Sequence, residues 1–171
     1  MKMTLKIAFM LLVVLAAGCA NDVTAPEDGL DSVSRSIYYR LASWENIKLT
    51  WASLRVTETT TAFKLQPNGT VLLRNLAYVK DVAIRYTRDG WKTWSEIKCV
   101  YSSAAADNCE YWTFNGPEWS FAKSYATQPL TSAVKLNFDF CVRYKVNGVT
   151  YWDNKGGANY HMDQNLRYIS N

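Results

Sequence analysis

Residues 138–146, FDFCVRYKV, alternate without interruption. Phe138, Phe140, Val142, Tyr144 and Val146 fall on one parity, and Asp139, Cys141, Arg143 and Lys145 on the other. A strand points successive side chains to opposite faces, so this pattern predicts a β-strand with one face in a core. Asn147-Gly148 follows. Both residues tolerate φ > 0, as a two-residue hairpin turn demands, so the chain is expected to reverse there and return as VTYW, residues 149–152.

The same signal recurs on either side. Residues 82–86, VAIRY, set Val82, Ile84 and Tyr86 on one face and Ala83 and Arg85 on the other. Residues 110–114, EYWTF, are β-prone, and residues 54–65, LRVTETTTAFKL, read as one strand rich in Thr and β-branched side chains. Asn68-Gly69 reads as a second hairpin turn, with TVLLRNLAY, residues 70–78, as its return strand. Turn signals recur about every ten residues and no long amphipathic helix interrupts them. The expectation is all-β: an antiparallel β-sandwich of seven to eight short strands. Residues 115–133 contain Pro117 and Pro129 and are expected to form an irregular surface connection. Residues 35–44 fit either a short helix or an extra packing segment.

At the N-terminus, Lys2 and Lys6 precede an apolar run over residues 7–18, too short to span a bilayer. The run stops at Cys19, in LAAGC. A small residue before a Cys, directly after such a run, resembles the processing site of bacterial lipoproteins. The resemblance implies that residues 1–18 are a signal peptide and that Cys19 becomes a lipidated N-terminus holding the chain in the cell envelope. Ala20 rather than Asp behind it points to the outer membrane or cell surface. An ordinary secretory leader cleaved near Ala20 is the alternative. Both export the chain to a compartment that permits disulfides. Residues 19–46 include the polar, acidic NDVTAPEDGLDSVS and read as a tether and N-terminal extension, which leaves residues 47–171 as one domain.

Removing the leader lowers the formal charge from +4 to +2, so nucleic acid is not an expected partner. Seven Trp and eleven Tyr stand out, and such rings serve contact surfaces as well as cores. Besides Cys19 there are Cys99, Cys109 and Cys141, so at most one intrachain bridge can form. Three pairings are possible and the sequence does not choose among them. Cys99–Cys109, flanking a strand end and a loop, is the favoured pair, worth about 2 to 3 kcal/mol by loop entropy, with Cys99–Cys141 second. A three-Cys metal site would lack a fourth ligand.

Catalytic signals are sparse. His161 is the only histidine, which excludes His-based triads and His-rich metal sites. It is expected at a strand end. The carboxylates are scattered, and there is no phosphate loop or nucleophile elbow. Residues 153–163 carry oxygen donors without calcium-loop spacing. No enzyme, cofactor or metal is expected, and binding remains. In TYWDNKGGANY, residues 150–160, turn-forming residues stand among aromatics. Tyr151 and Trp152 must face opposite ways on a strand, so one can anchor inward while the other faces out.

The stretches RNLAYVKDVAIRYTRDGWKTW, EYWTF and FCVRYKVNGVTYWDNKGGANYHM occur in this order within residues 54–162. They resemble carbohydrate-binding module family 21, which includes starch-binding modules of fungal glucoamylases and glycogen-targeting subunits of protein phosphatase 1. The resemblance implies an immunoglobulin-like β-sandwich that binds α-glucans such as starch, glycogen and maltooligosaccharides and does no chemistry. Carried over by position, one site would use Trp91 and Trp152 as platforms. Asp153, Asn154 and Asn159 would lie beside them, and Lys80 would be a nearby donor. A second site would use Tyr78 and Tyr101. Indoles can cover the apolar face of a glucose ring, and an Asn amide can pair with two neighbouring hydroxyls. Gly156 and Gly157 would keep the loop clear of the ligand.

The chain departs from the family pattern at three places. Cys109 and Cys141 stand where some members carry a ligand-stacking Tyr, Lys155 stands where a second Asn is usual, and residues 115–133 are longer. Trp119, Phe121 and Tyr125 on that connection are expected to cover a sheet edge. Trp94 is the expected core residue of its segment. Two readings of different class follow. One is an α-glucan-binding lipoprotein at the cell surface, with separate amylolytic enzymes as partners. The other is a structural or adhesion sandwich that has lost sugar binding, for which Trp91 and Trp152 would not share an exposed face.

Overall fold

The computed structural model describes residues 39–171, so the leader, Cys19 and residues 19–38 of the tether lie outside the described residues. Strand propensity and turn chemistry divide the rest into β1 (Ile47–Glu58), β2 (Ala62–Arg74), β3 (Lys80–Thr87), β4 (Ser95–Lys98), β5 (Val100–Ala105) and β6 (Cys109–Asn115). Then follow β7 (Trp119–Ala122), a helical turn α1 (Leu130–Ala133), β8 (Asn137–Val146), β9 (Val149–Asp153), β10 (Tyr160–Asp163) and β11 (Tyr168–Ser170). The four strands of three or four residues carry the number beyond the seven or eight expected from turn spacing.

The strands form two antiparallel sheets, the expected sandwich. The larger runs β11-β1-β2-β6-β5, with β7 along the start of β2. The smaller runs β10-β8-β3-β4, with β9 along the second half of β8. The alternation in β8 is realised: Phe138, Phe140, Val142, Tyr144 and Val146 are all buried. They meet Val82 and Ile84 of their own sheet and Leu49, Phe63, Leu65, Val71 and Leu73 of the other. Each such side chain contributes about 1.5 to 3 kcal/mol by leaving water. Asn147 and Gly148 make the expected turn, with φ of 50° and 77°.

The other Asn-Gly pair does something else. Asn68 and Gly69 lie in the middle of β2, opposite Ser53 and Ala52, and no turn occurs there. The β1–β2 reversal falls at residues 59–61, inside what reads as a single strand. Thr59 accepts from Ala62 N through Oγ1 at 2.9 Å, and its N–H donates to Ala62 O at 2.9 Å, so a threonine supplies the turn chemistry. Gly69 is required by packing: a Cβ there would lie 2.5 Å from Trp51 O and 2.6 Å from Phe114 Cε1.

The expected Cys99–Cys109 bridge is not formed; Cys99, Cys109 and Cys141 are free and buried. Register explains this. Val100, next to Cys99, pairs with Thr113, four residues along β6 from Cys109. At about 3.3 Å per residue that separation is about 13 Å, well beyond the roughly 7 Å that a bridge spans. Cys99 instead sits in the core, and burial pushes its thiol up to about 12.

Residues 115–133 are more regular than expected. β7 pairs with Ala62–Leu65 of β2, and Trp119 and Phe121 pack on the core, so this connection covers a sheet edge. Residues 39–46 form a turn, not a helix. Glu45 N donates to Ala42 O at 3.0 Å and Ala42 N to Glu45 Oε2 at 2.7 Å. Arg74 of β2 holds the turn through Nη2 to Ala42 O at 3.3 Å and to Glu45 O at 3.4 Å.

Candidate functional site

The outer face of the smaller sheet carries the parity that the core does not use. Register sets Trp152 opposite Arg143, Arg143 opposite Ala83, and Arg85 opposite both Cys141 and Glu96. The charges there form a chain: Arg85 to Glu96 at 2.9 Å, Glu96 to Arg143 at 2.9 Å and Arg143 to Asp81 at 2.8 Å, with Lys98 closing on Asp81. Burial alone would raise both carboxyls. Hydrogen bonds from Arg143 and Arg85 to Glu96, and from Lys98 and Arg143 to Asp81, outweigh it and hold both below the usual carboxylate range.

The guanidinium of Arg85 lies between two indoles, 4.0 Å from the ring centre of Trp94 and 4.8 Å from that of Trp152. Trp152 is 43% exposed and faces out while Tyr151 packs inward, 5.9 Å from Tyr144. Trp94 is 55% exposed, against the expectation of a core position. Ile97 of β4 is buried, and Trp94 and Glu96 share the opposite parity, so both look outward. Trp91 is half-buried on the β3–β4 turn with φ of 67°, its N–H donating to Thr87 Oγ1 at 3.0 Å. Asp89 braces that turn: hydrogen bonds from Thr93, then from Thr87, pull its carboxyl down to about 2. The ring brought to Trp152 across Arg85 is therefore Trp94, three residues on from the one singled out by sequence. Cys141 is buried, its thiol pushed up to about 11 by burial. The planar group opposite it on this face is the Arg85 guanidinium.

Beyond Trp152 the chain turns through left-handed conformations at Lys155 (φ 53°), Gly156 (68°), Gly157 (99°) and Asn159 (59°). A Cβ on either glycine would meet nothing within 4 Å, so the glycines here serve conformation and leave the approach open. Asn154 Oδ1 accepts from Gly157 N at 3.0 Å and fixes the loop. Asp153, expected beside the ligand, is turned inward. Its Oδ2 accepts from Leu49 N at 2.6 Å and Tyr160 O–H donates to it at 2.9 Å, tying the end of β9 to the other sheet. Trp152, Asn154 and Gly156 line a shallow cleft of about 330 Å³ whose other side includes Trp44 and Asn46.

A second cleft, of about 480 Å³, opens where the edges of the two sheets meet. Tyr78, Tyr101, Trp112, Lys80 and Glu110 line it. Tyr78 is 98% exposed, and Tyr101 meets Trp112 edge-on at 6.2 Å. Lys80, expected near the first site, belongs here. It shares the parity of Val82 and Ile84 and so points between the sheets. Its Nζ donates to Asn75 Oδ1 at 2.6 Å and Glu110 Oε2 at 2.8 Å, and its side chain is 4% exposed. Trp112 Nε1–H donates to the same Glu110 Oε2 at 2.8 Å. Trp112 was legible only as part of a β-prone run. Its parity with the core residue Phe114 is the signal that places it between the sheets.

A rigid sandwich presenting indole and phenol rings at two shallow clefts, with amides and fixed charges beside them, is built as a ligand-binding module. The module is one of carbohydrate recognition: the chain belongs to the carbohydrate/starch-binding module family 21, whose model matches residues 39–163. That family is one of binding modules, in agreement with reading the chain as non-catalytic. The chain is 35% identical over 94 residues to protein phosphatase 1 regulatory subunit 3C of Bos taurus, covering 55% of this chain and 27% of that protein. It is 36% identical over 104 residues to regulatory subunit 3B of Danio rerio, covering 60% and 33%. The chain thus spans about a quarter to a third of these relatives' length. It is also similar to the starch-binding domain of Rhizopus oryzae glucoamylase, solved with β-cyclodextrin and maltoheptaose. That match has 25% identity, 73% and 99% coverage and a TM-score of 0.45.

Proposed function

We propose that the chain binds α-glucans of the starch or glycogen type at two aromatic clefts, without chemistry, while Cys19 anchors it in the cell envelope. The observation that carries the reading is the exposed indole of Trp152 beside Asn154 and a loop whose Lys155, Gly156, Gly157 and Asn159 are held in left-handed conformations. An exposed ring gains by covering the apolar face of a sugar, and the neighbouring amides can pair with its hydroxyls. Trp152 and Trp94, with the Arg85 guanidinium between them, form the first platform, and Trp91 flanks it on the β3–β4 turn. Tyr78 and Tyr101 form the second, with Trp112 and the Lys80–Glu110 pair at their base. Open platforms leave much of the ligand in water, so each site is weak and the two add avidity. Capture at the surface would serve separate amylolytic enzymes.

Retention on insoluble starch tests this. The wild-type chain is expected in the pellet and the Trp91→Ala/Trp152→Ala variant in the supernatant. No retention of wild type, or equal retention of both, would sink the reading. The adhesion reading has two observations in its favour: Asp153 and the Asn154 side-chain oxygen are already engaged within the protein, and the ring brought to Trp152 is Trp94 while Trp91 is half-buried. It predicts no wild-type retention on any α-glucan.

A further inference from the structure

Trp44 precedes the first strand, on a segment that no sequence motif drew into the sites above, although it lines the Trp152 cleft. It is 82% exposed. An indole left so far in water forgoes burial, and on a floppy segment it would need no explanation. This one is not on a floppy segment. Its turn is closed by Glu45 N to Ala42 O and by Ala42 N to Glu45 Oε2, and is bolted to β2 by two bonds from the Arg74 guanidinium. Arg74 N donates to Asn46 O at 3.0 Å as well. On the segment's other side Arg40 reaches Asp107 at 3.4 Å and Tyr39 O–H meets Ser170 Oγ at 3.0 Å. The ring is thus held out into solvent by a braced backbone.

What it faces is the Trp152 cleft. Trp44 and Trp152 line the same space of about 330 Å³, together with Asn46 and Asn154. The volume is at the lower end of the about 300 to 1,000 Å³ of small-ligand sites. Arg85, whose guanidinium lies 4.8 Å from the centre of the Trp152 ring, does not line this space. Trp152 therefore borders the space it shares with Trp44 independently of its contact with the guanidinium.

We infer that Trp44 is the second wall of a pinch with Trp152, closing on a glucan segment from the N-terminal side, so that the chain ahead of β1 is part of the binding site. The inference rests on the α-glucan reading above and adds the residue that sets how much of the chain is gripped. Two indoles can cover opposite faces of a sugar, or successive sugars, while Asn46 and Asn154 meet the hydroxyl rim. Arg74 is a positioning residue: it touches no ligand and holds the turn.

The test is titration of the full chain with maltoheptaose, followed by tryptophan fluorescence and by mobility in gels containing amylopectin. Trp44→Ala is expected to weaken binding about five- to tenfold with unchanged circular dichroism and melting temperature, since the ring is almost free of the core. Trp44→Phe is expected to recover most of the affinity. Trp44→Ala binding as wild type, while Trp152→Ala loses binding, overturns the pinch and leaves the glucan reading standing. Wild type failing to bind any α-glucan overturns both.

Discussion

The Trp152–Trp94 platform lies on the outer face of the smaller sheet and the Tyr78–Tyr101 cleft where the sheet edges meet, and their charges differ in how far they stand from water. At the first, Arg85 and Glu96 are part of a chain of five charged side chains that is partly open, with Arg85 packed between two indoles. At the second, Lys80 is almost fully buried, and its ammonium relies on Glu110 and Asn75. The platform can therefore exchange partners at its surface with little effect on the fold. The second has its polar floor built into the sandwich, so the fold and the cleft stand or fall together.

The largest expected effect tests that distinction. Glu110→Ala leaves the Lys80 ammonium without a counter-charge, with Asn75 as its remaining partner, removes the acceptor of Trp112 Nε1–H, and is expected to destabilise the fold by about 3 to 5 kcal/mol in urea denaturation. A change below about 1 kcal/mol would show that water reaches Lys80, and the contrast between platform and cleft would be lost.

An intermediate effect is expected from acid, and it belongs to the charge chain beside the platform. Glu96 and Asp81 are held below their ordinary values of 4.5 and 3.8, so the unfolded chain takes up protons first as pH falls. Their contribution is complete above about pH 5 and is lost as pH drops through the lowered folded values, so stability should decline steadily as pH falls below about 5. Glu96→Gln should flatten that decline; an unchanged slope would remove the charge chain from the account of this face.

The smallest effect on stability is expected at Tyr78, which is 98% exposed. Tyr78→Ala should leave the unfolding free energy within about 0.5 kcal/mol while weakening glucan binding severalfold. Binding unchanged in this variant would take Tyr78 out of the second cleft and leave Tyr101 and Trp112 alone there.

The parts of the fold that were legible are those where the reason is local. β8 and its Asn147-Gly148 turn could be read because alternation and a turn dipeptide act within a dozen residues. The identical dipeptide at Asn68-Gly69 misled because the reason for Gly69 is the Phe114 ring, 45 positions away in sequence and in van der Waals contact in space. The site shows the same divide. Tyr151 inward and Trp152 outward follow from strand parity alone. Parity would also have sent Lys80 between the sheets and Trp94 outside, had Val82, Ile84 and Ile97 been used as the reference. Trp44 could not be found that way. Its position depends on Arg74, a residue of a strand that begins 18 residues later.

The three unbridged sulfurs give the protein a clock of its own. Cys99 lies where the chain crosses from β4 to β5, Cys109 at the edge where β6 begins, and Cys141 inside β8. All are buried, and burial keeps each thiol from ionising near neutral pH, so none reacts until its neighbourhood opens. The order in which a thiol reagent marks the three positions is then a record of which part of the sandwich parts first, written by the chain without an added label.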